Sequence, residues 1–408
     1  MNTKIRLTLM NFLQYAVWGA WLISLGAYLG NTLKFDGLQI GSFFATMGIA
    51  SLFRPAVMGI IADRWIPAQR LLGLCHLFAA GFITLAATRT DYNSLYTLVL
   101  LSVMFYMPTI ALSNSVAYNA LEKAGLDTVT HFPPIRVWGT VGFICAMWVV
   151  DLGKMGLSAT QLYFSATLGL ILGLYSFTLP NCPINRSGGG KSIVDLLGLR
   201  AFALFKQRKM AIFFIFSMLL GMSLQITNAF ADGYIKSFGD TGIHGAKYLG
   251  TFGVEHSTIL ISLSQISETL CILLIPFFLK RFGIKRVMLI AMFAWVLRFA
   301  LLGAGNPGPG VWMFILSMIV YGVAFDFFNI SGSLFVEKET SAAIRSSAQG
   351  VFMIMTNGLG ALIGSYLAGW VVNHYGWPLS WYLFAGFSLV VAIVFAVIFK
   401  YKHDLNRI

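Results

Sequence analysis

"VWMFILSMIVYGVAFDFFNISGSLF", Val311 to Phe335, is apolar along its length except at one place. Its only Asp, Glu, Lys or Arg is Asp326, set between Phe325 and Phe327. A transmembrane helix needs about 20 mostly apolar residues, and this run exceeds that. Comparable runs lie at 8–29, 38–62, 70–88, 94–119, 130–151, 160–180, 210–232, 256–279, 286–304, 343–372 and 379–399. Composition agrees: 58% of residues are hydrophobic and 11% charged, against about 25% charged in soluble domains. So little charge cannot cover a water-facing surface. The sequence predicts an all-α integral membrane protein with twelve transmembrane helices.

Orientation follows from the basic residues, which are retained on the cytoplasmic side. With both termini cytoplasmic, 20 of the 28 Lys and Arg fall on the inner side and 5 on the outer side. The remaining three, Arg54, Arg136 and Arg298, lie within spans. The net charge of +13 then faces an anionic inner leaflet and calls for no nucleic acid. Cys75, Cys145 and Cys271 lie in spans and Cys182 just beyond one, so no extracellular disulfide framework is expected. The first apolar stretch is too long for a signal peptide and reads as a span.

The longest polar interruption, 181–209, separates an N-terminal half (1–180) from a C-terminal half (210–408), six spans each. Its "RSGGGK" reads as a flexible linker. It is not a phosphate loop, because Asn185 stands where that motif needs its first glycine. Residues 193–207 are expected to form a short interfacial helix. The halves echo each other: "GIIADRWIPAQR" (59–70) and "PFFLKRFGIKRV" (276–287) follow the second span of each. Repeated halves around a central site are a transporter architecture.

Ionisable groups within membrane helices cost about 2.5–3.5 kcal/mol each on insertion scales and mark interior sites. Arg136, Thr140 and Phe143 share a helix face by their spacing. A guanidinium there serves several acceptors or neutralises a carboxylate. Gln225, Asn228 and Asp232 share another face. The amides suit a ligand of mixed polarity, or hydrogen bonding between helices, while Asp232, near the outer end, is expected to be solvated. Gln265 and Glu268 stand one turn apart. A carboxylate in that position can bind and release a proton according to which side is open. Tyr321, Phe325 and Phe328 form an aromatic stripe beside a polar one of Asp326, Asn329 and Ser333. Gln14, Trp18 and Trp21 are expected to line a cavity, with Phe327 turned away from it. Gly360, Gly364 and Gly369 suggest close helix packing. Arg54 and Arg298 have no nameable partner. The six histidines are dispersed and no metal-ligand or nucleophile motif appears, so neither metal, cofactor nor enzymatic activity is expected.

The chain also carries family likenesses. "GIIADRW" (59–65) resembles the loop signature of the major facilitator superfamily, although "IPAQR" departs from its basic ending. "FLQYAVWGAWLISLGAY" (12–28), "FPPIRVWGTVGFI" (132–144), "LQITN" (224–228), "SQISET" (264–269) and "IVYGVAFDFFNISGSLFVEKE" (319–339) resemble the bacterial nucleoside:proton symporter family. The outer loop 233–255, the glycine-rich linker and the tail do not match it. The resemblance implies a major facilitator fold in the bacterial cytoplasmic (inner) membrane and a nucleoside and a proton as cargo. It implies substrate contacts at Arg136, Thr140, Phe143, Tyr321 and Phe325 and puts Asp326 in the binding region. Gln225, Asn228, Gln265 and Glu268 are expected substrate contacts from their own polarity and spacing, Glu268 toward ribose hydroxyls. The superfamily signature implies a conformational-switch loop at Gly59, Asp63 and Arg64. Asp326 and Glu268, carboxylates within apolar spans, are the candidates for proton coupling. Without the family resemblance, the same residues would serve a sugar or a free nucleobase almost as well.

Overall fold

The computed structural model describes residues 2–182, 199–244, 246–341 and 344–401. The side chains of 53–60, 62–64, 129, 199–201, 243 and 346 fall outside that description. Arg54, Gly59, Asp63 and Arg64 are among them, and the "RSGGGK" linker lies wholly outside the described residues.

The described residues are helical and contain no strand. The principal helices are α1 (Thr3–Gly19), α2 (Gly37–Arg64), α3 (Ala68–Ala87), α4 (Tyr92–Lys123), α5 (Thr128–Leu152) and α6 (Thr160–Ser176). They continue with α7 (Arg208–Ser237), α8 (Ser257–Ala304), α9 (Val311–Glu339), α10 (Arg345–Met353), α11 (Ala361–Tyr375) and α12 (Leu379–Ile398). Among the described residues, eight helical stretches are long and apolar enough to cross a membrane. Helix α8 is broken at Gly283, whose φ of 75° and ψ of 166° lie in a region only glycine occupies readily. A π-helical segment, Ile354–Gly360, joins α10 to α11. Of the short helix expected at 193–207, the described part, Leu199–Lys206, is a 3₁₀ helix.

Apolar side chains face outward while polar ones are enclosed, the reverse of a water-soluble protein. Leu273, Phe277 and Val397 are 74%, 62% and 68% exposed, whereas Gln14, His76, Gln161 and Arg298 are at most 2% exposed. Where no water is available, each enclosed polar group needs a partner within the protein.

The chain forms two compact units, 1–35 with 49–196 and 36–48 with 197–408. In the first, Leu7, Leu72, Val116, Leu121 and Leu172 build one apolar core. Helices α1 and α5 approach to backbone contact, since a Cβ at Gly19 or Gly142 would strike the backbone of Phe143 or Phe12. Gln14 ties α1 to α3 and α4: its Nε2 donates to Thr109 Oγ1 (2.7 Å), and its Oε1 meets His76 Nε2 (2.8 Å). Ser24 Oγ donates to Gln161 Oε1 (2.7 Å), tying in α6.

In the second unit the anticipated glycine contacts are present. A Cβ at Gly364 would lie 2.5 Å from Met222 Cα, and one at Gly360 would lie 2.6 Å from Met218 O. The first turns of α2 belong here too, with Gly37 N–H donating to Asn373 Oδ1 (2.5 Å). Asp232 is 1% exposed, not solvated. It pairs with Lys236 at 2.7 Å and accepts from Ser257 Oγ (2.5 Å) and Thr258 Oγ1 (3.1 Å). These three donors offset the cost of removing the carboxylate from water.

Candidate functional site

In the first unit the candidate residues lie on α5 against α1. Arg136 is half-buried, with its guanidinium carbon 4.0 Å from the Tyr15 ring centroid. That spacing is within the range of a cation–π contact. Gly139 makes it possible: a Cβ there would lie 2.6 Å from Tyr15 and 2.9 Å from the Arg136 guanidinium. Thr140 is half-buried one turn on, and Phe143 is buried. Phe143 meets Trp18 edge-on at 6.2 Å, and Trp18 in turn meets Tyr106 at 6.0 Å. Of the expected cavity lining on α1, only Trp18 is half-buried. Gln14 (0% exposed) and Trp21 (4%) are core residues, because Gln14 is consumed by Thr109 and His76 and Trp21 faces the interior of the unit.

In the second unit the chemistry gathers where α8 meets α9. Gly322 packs against the backbone of Ser267, with space for no Cβ (2.6 Å from Ser267 C). Ser267 Oγ donates to Ile319 O in the same contact. This close approach brings Glu268 of α8 into electrostatic range of Tyr321 and Asp326 of α9. Asp326 is 5% exposed, and its Oδ2 has no hydrogen-bond partner among the described residues. Tyr321 stacks on Phe325 at 5.6 Å with ring planes 6° apart. On its other side it carries the Arg298 guanidinium, 4.7 Å from the ring centroid. Arg298 is held by Ser317 O (2.6 Å), while its Nε has no hydrogen-bond partner among the described residues. On α7, Gln225 is buried and Asn228 half-buried, with Asn228 Nδ2 3.5 Å from Gln225 Oε1. Gln265 and Glu268 are both half-buried on α8.

The polar stripe on α9 divides. Asn329 and Ser333 line a cavity together with Phe325, while Asp326 is not part of its wall. Positions 325, 329 and 333 are four apart and stack on one face, leaving 326 about 100° round the helix. Phe327 is turned into the protein against Phe278 (4.9 Å), and Phe328 packs on Phe213 and Phe352.

Four participants escaped the sequence reading. Tyr15 beneath Arg136 and Trp295 against Tyr321 (6.0 Å) are aromatics among many, with no spacing that marks them. The partner of Arg298 is an aromatic face and a main-chain carbonyl, which no search for an acid could find. Asn357 sits in the π segment, whose extra residue per turn breaks the helical register.

Comparison with known proteins supplies the class. A family model described as "Nucleoside H+ symporter" matches residues 1–404. The chain is 50% identical to the nucleoside permease NupG of Escherichia coli (strain K12) over 410 residues, covering 99% of this chain and 97% of that protein. It is 49% identical to the xanthosine permease of the same organism, covering 100% and 98%. A crystal structure of the nucleoside transporter NupG superposes with a TM-score of 0.92 at 51% identity, covering 98% of this chain and 100% of that one. A bacterial homolog of the lysosomal transporter Spinster shares the fold at 14% identity, with a TM-score of 0.69. These likenesses identify a major facilitator fold and a multi-pass bacterial inner-membrane transporter rather than an enzyme. The chain belongs to the nucleoside H+ symporter family.

Proposed function

We propose that this protein imports nucleosides together with protons by alternating access, using twelve spans in two six-helix halves with both termini cytoplasmic. The break at Gly283 splits α8 into two arms, and the 20-to-5 distribution of basic residues supports the even count. Residues 1–180 and 210–408 form the halves, linked by 181–209. Arg136, Thr140 and Phe143 contribute to nucleoside binding from one half. Gln225, Asn228, Gln265, Glu268, Tyr321 and Phe325 contribute from the other. The amides and Glu268 serve hydroxyl and base edges, and the Tyr321–Phe325 stack offers a flat base an aromatic surface. Gly59, Asp63 and Arg64, in the last turns of α2, take part in the switch between states together with the loop that follows.

One arrangement supports the coupling: the close approach of α8 to α9 at Ser267 and Gly322 gathers Glu268, Asp326 and Tyr321, and Tyr321 stacks on Phe325. Proton occupancy of this carboxylate pair and occupancy of the substrate site therefore act on the same few side chains. Protonation from outside favours substrate binding, and inward opening releases both. A proton entering down the membrane potential gains about 2.3 kcal/mol per 100 mV, enough to concentrate a neutral solute.

The test is uptake of labelled uridine, adenosine and inosine into proteoliposomes with and without an inward proton gradient. Accumulation of at least one nucleoside only when the gradient is present is the expected result. Uptake indifferent to the gradient removes symport, and uptake of none removes the nucleoside assignment.

A further inference from the structure

A cavity of about 940 Å³ opens beside α9 toward the end carrying Glu337 and Arg345. This is the cytoplasmic end under the charge asymmetry. Phe325 stands at its head, and Asn329, Ser333, Gln349 and Asn357 line it. Two of these polar groups are committed to each other: Gln349 Nε2 donates to Ser333 O (2.7 Å) and its Oε1 accepts from Ser333 Oγ (3.2 Å). The other two are not. Asn329 has no hydrogen-bond partner among the described residues, and Asn357 Nδ2 reaches only the weak acceptor Met353 Sδ at 3.7 Å. Both asparagines also border a smaller pocket with Trp295, Phe325 and Phe328.

Asn357 owes its place to the π segment Ile354–Gly360. There α7 and the segment touch backbone to backbone, since a Cβ at Gly221 would strike the main chain of Thr356. Two uncommitted amides beside aromatic rings match the donor and acceptor edge and the flat face of a nucleobase.

The geometry points to a second binding position for the nucleoside, a release subsite on the inner side of Phe325 read by Asn329 and Asn357. It rests on the nucleoside reading above, to which it adds a step. On inward opening the base leaves the Tyr321–Phe325 stack and pairs transiently with the two amides before entering the cytoplasm. Phe325, shared by both positions, keeps the base on an aromatic surface throughout.

The experiment compares labelled uridine transport in right-side-out and everted membrane vesicles, without a proton gradient, for wild type, Asn329→Leu and Asn357→Leu. Each variant is expected to raise KM about tenfold in everted vesicles, which present the inner face, and less than twofold in right-side-out vesicles. The Vmax/KM ratios of the two faces stay equal, as the absence of a driving force requires. Asn329→Ser and Asn357→Ser, which keep polarity but shorten the amide, give the same asymmetry if the leucine variants do not reach the membrane. Unchanged KM on both faces, or an equal rise on both, overturns the subsite. Absence of uridine transport by wild type in either vesicle overturns the nucleoside reading and the subsite with it.

Discussion

The polar interiors of the two units are made of different chemistry. In the first, the knot joining α1, α3 and α4 consists of an amide, an imidazole and a hydroxyl: Gln14, His76 and Thr109. Tyr106 OH closes it by donating to Gln14 O (2.6 Å). In the second, the corresponding gathering is a guanidinium, a phenol and two carboxylates: Arg298, Tyr321, Glu268 and Asp326. His76 Nδ1 in the first knot also lacks a hydrogen-bond partner among the described residues, but in the second gathering the unpartnered atoms, Arg298 Nε and Asp326 Oδ2, belong to a guanidinium and a carboxylate. A knot of side-chain hydrogen bonds across three helices fixes them in place. An incompletely satisfied cluster of ionisable groups stores a response to protons. Under the proposed function the comparison teaches a division of labour, with Arg136 held against the first unit's frame and proton coupling assigned to the second.

The comparison breaks most visibly at Asp326. Asp326→Asn is expected to abolish gradient-driven uridine accumulation, a loss of at least about tenfold, while counterflow without a gradient continues. Accumulation at the wild-type level would remove Asp326 from coupling. Next in size are Glu268→Gln and Gln225→Ala. A hydrogen bond to a charged group contributes about 1.5–3 kcal/mol, so calorimetry on folded protein should show uridine affinity down tenfold or more for Glu268→Gln. A smaller loss is expected for Gln225→Ala, and unchanged affinity in both would take α7 and α8 out of the site.

Gln14→Leu sharpens the contrast from the other side. It strands His76 Nε2, which costs about 1–3 kcal/mol when left unsatisfied, while Thr109 Oγ1 keeps its bond to Tyr106 O. The melting temperature should fall, while the molecules that remain folded keep their uridine affinity. A variant that melts like wild type would show that the knot does not hold the frame.

The smallest effect is expected outside the membrane, at Asp91, which caps α4. The Ser94 side chain and backbone N–H (2.8 Å) hold its carboxylate below the ordinary range. Its contribution is therefore present above about pH 4 and is lost as pH falls through the depressed folded value. Asp91→Asn should flatten the acid limb of a melting-temperature profile and leave neutral pH unchanged. An unaltered acid limb would exclude the cap as its source.

What could be read beforehand divides along physical lines. The apolar runs and sparse charge determined a helical membrane protein, because lipid leaves few alternatives and a run of about 20 residues is a local property. The spacing of Arg136, Thr140 and Phe143 followed from helical period alone, as did the pairing of Gln265 with Glu268. Local spacing failed where a residue's role depends on another helix. Gln14 looked like cavity lining until His76 and Thr109 claimed it, and Asp232 looked solvated until Ser257 and Thr258 enclosed it. The stripe of Asp326, Asn329 and Ser333 split because one helix has several polar sides and only its neighbours decide which is which. Sequence by itself thus determined the membrane fold class and placed a carboxylate among phenylalanines. Only the tertiary structure, through the absence of a side chain at Gly322 and the approach of α8 to α9 there, decided that Asp326 has Glu268, Tyr321 and Arg298 for company.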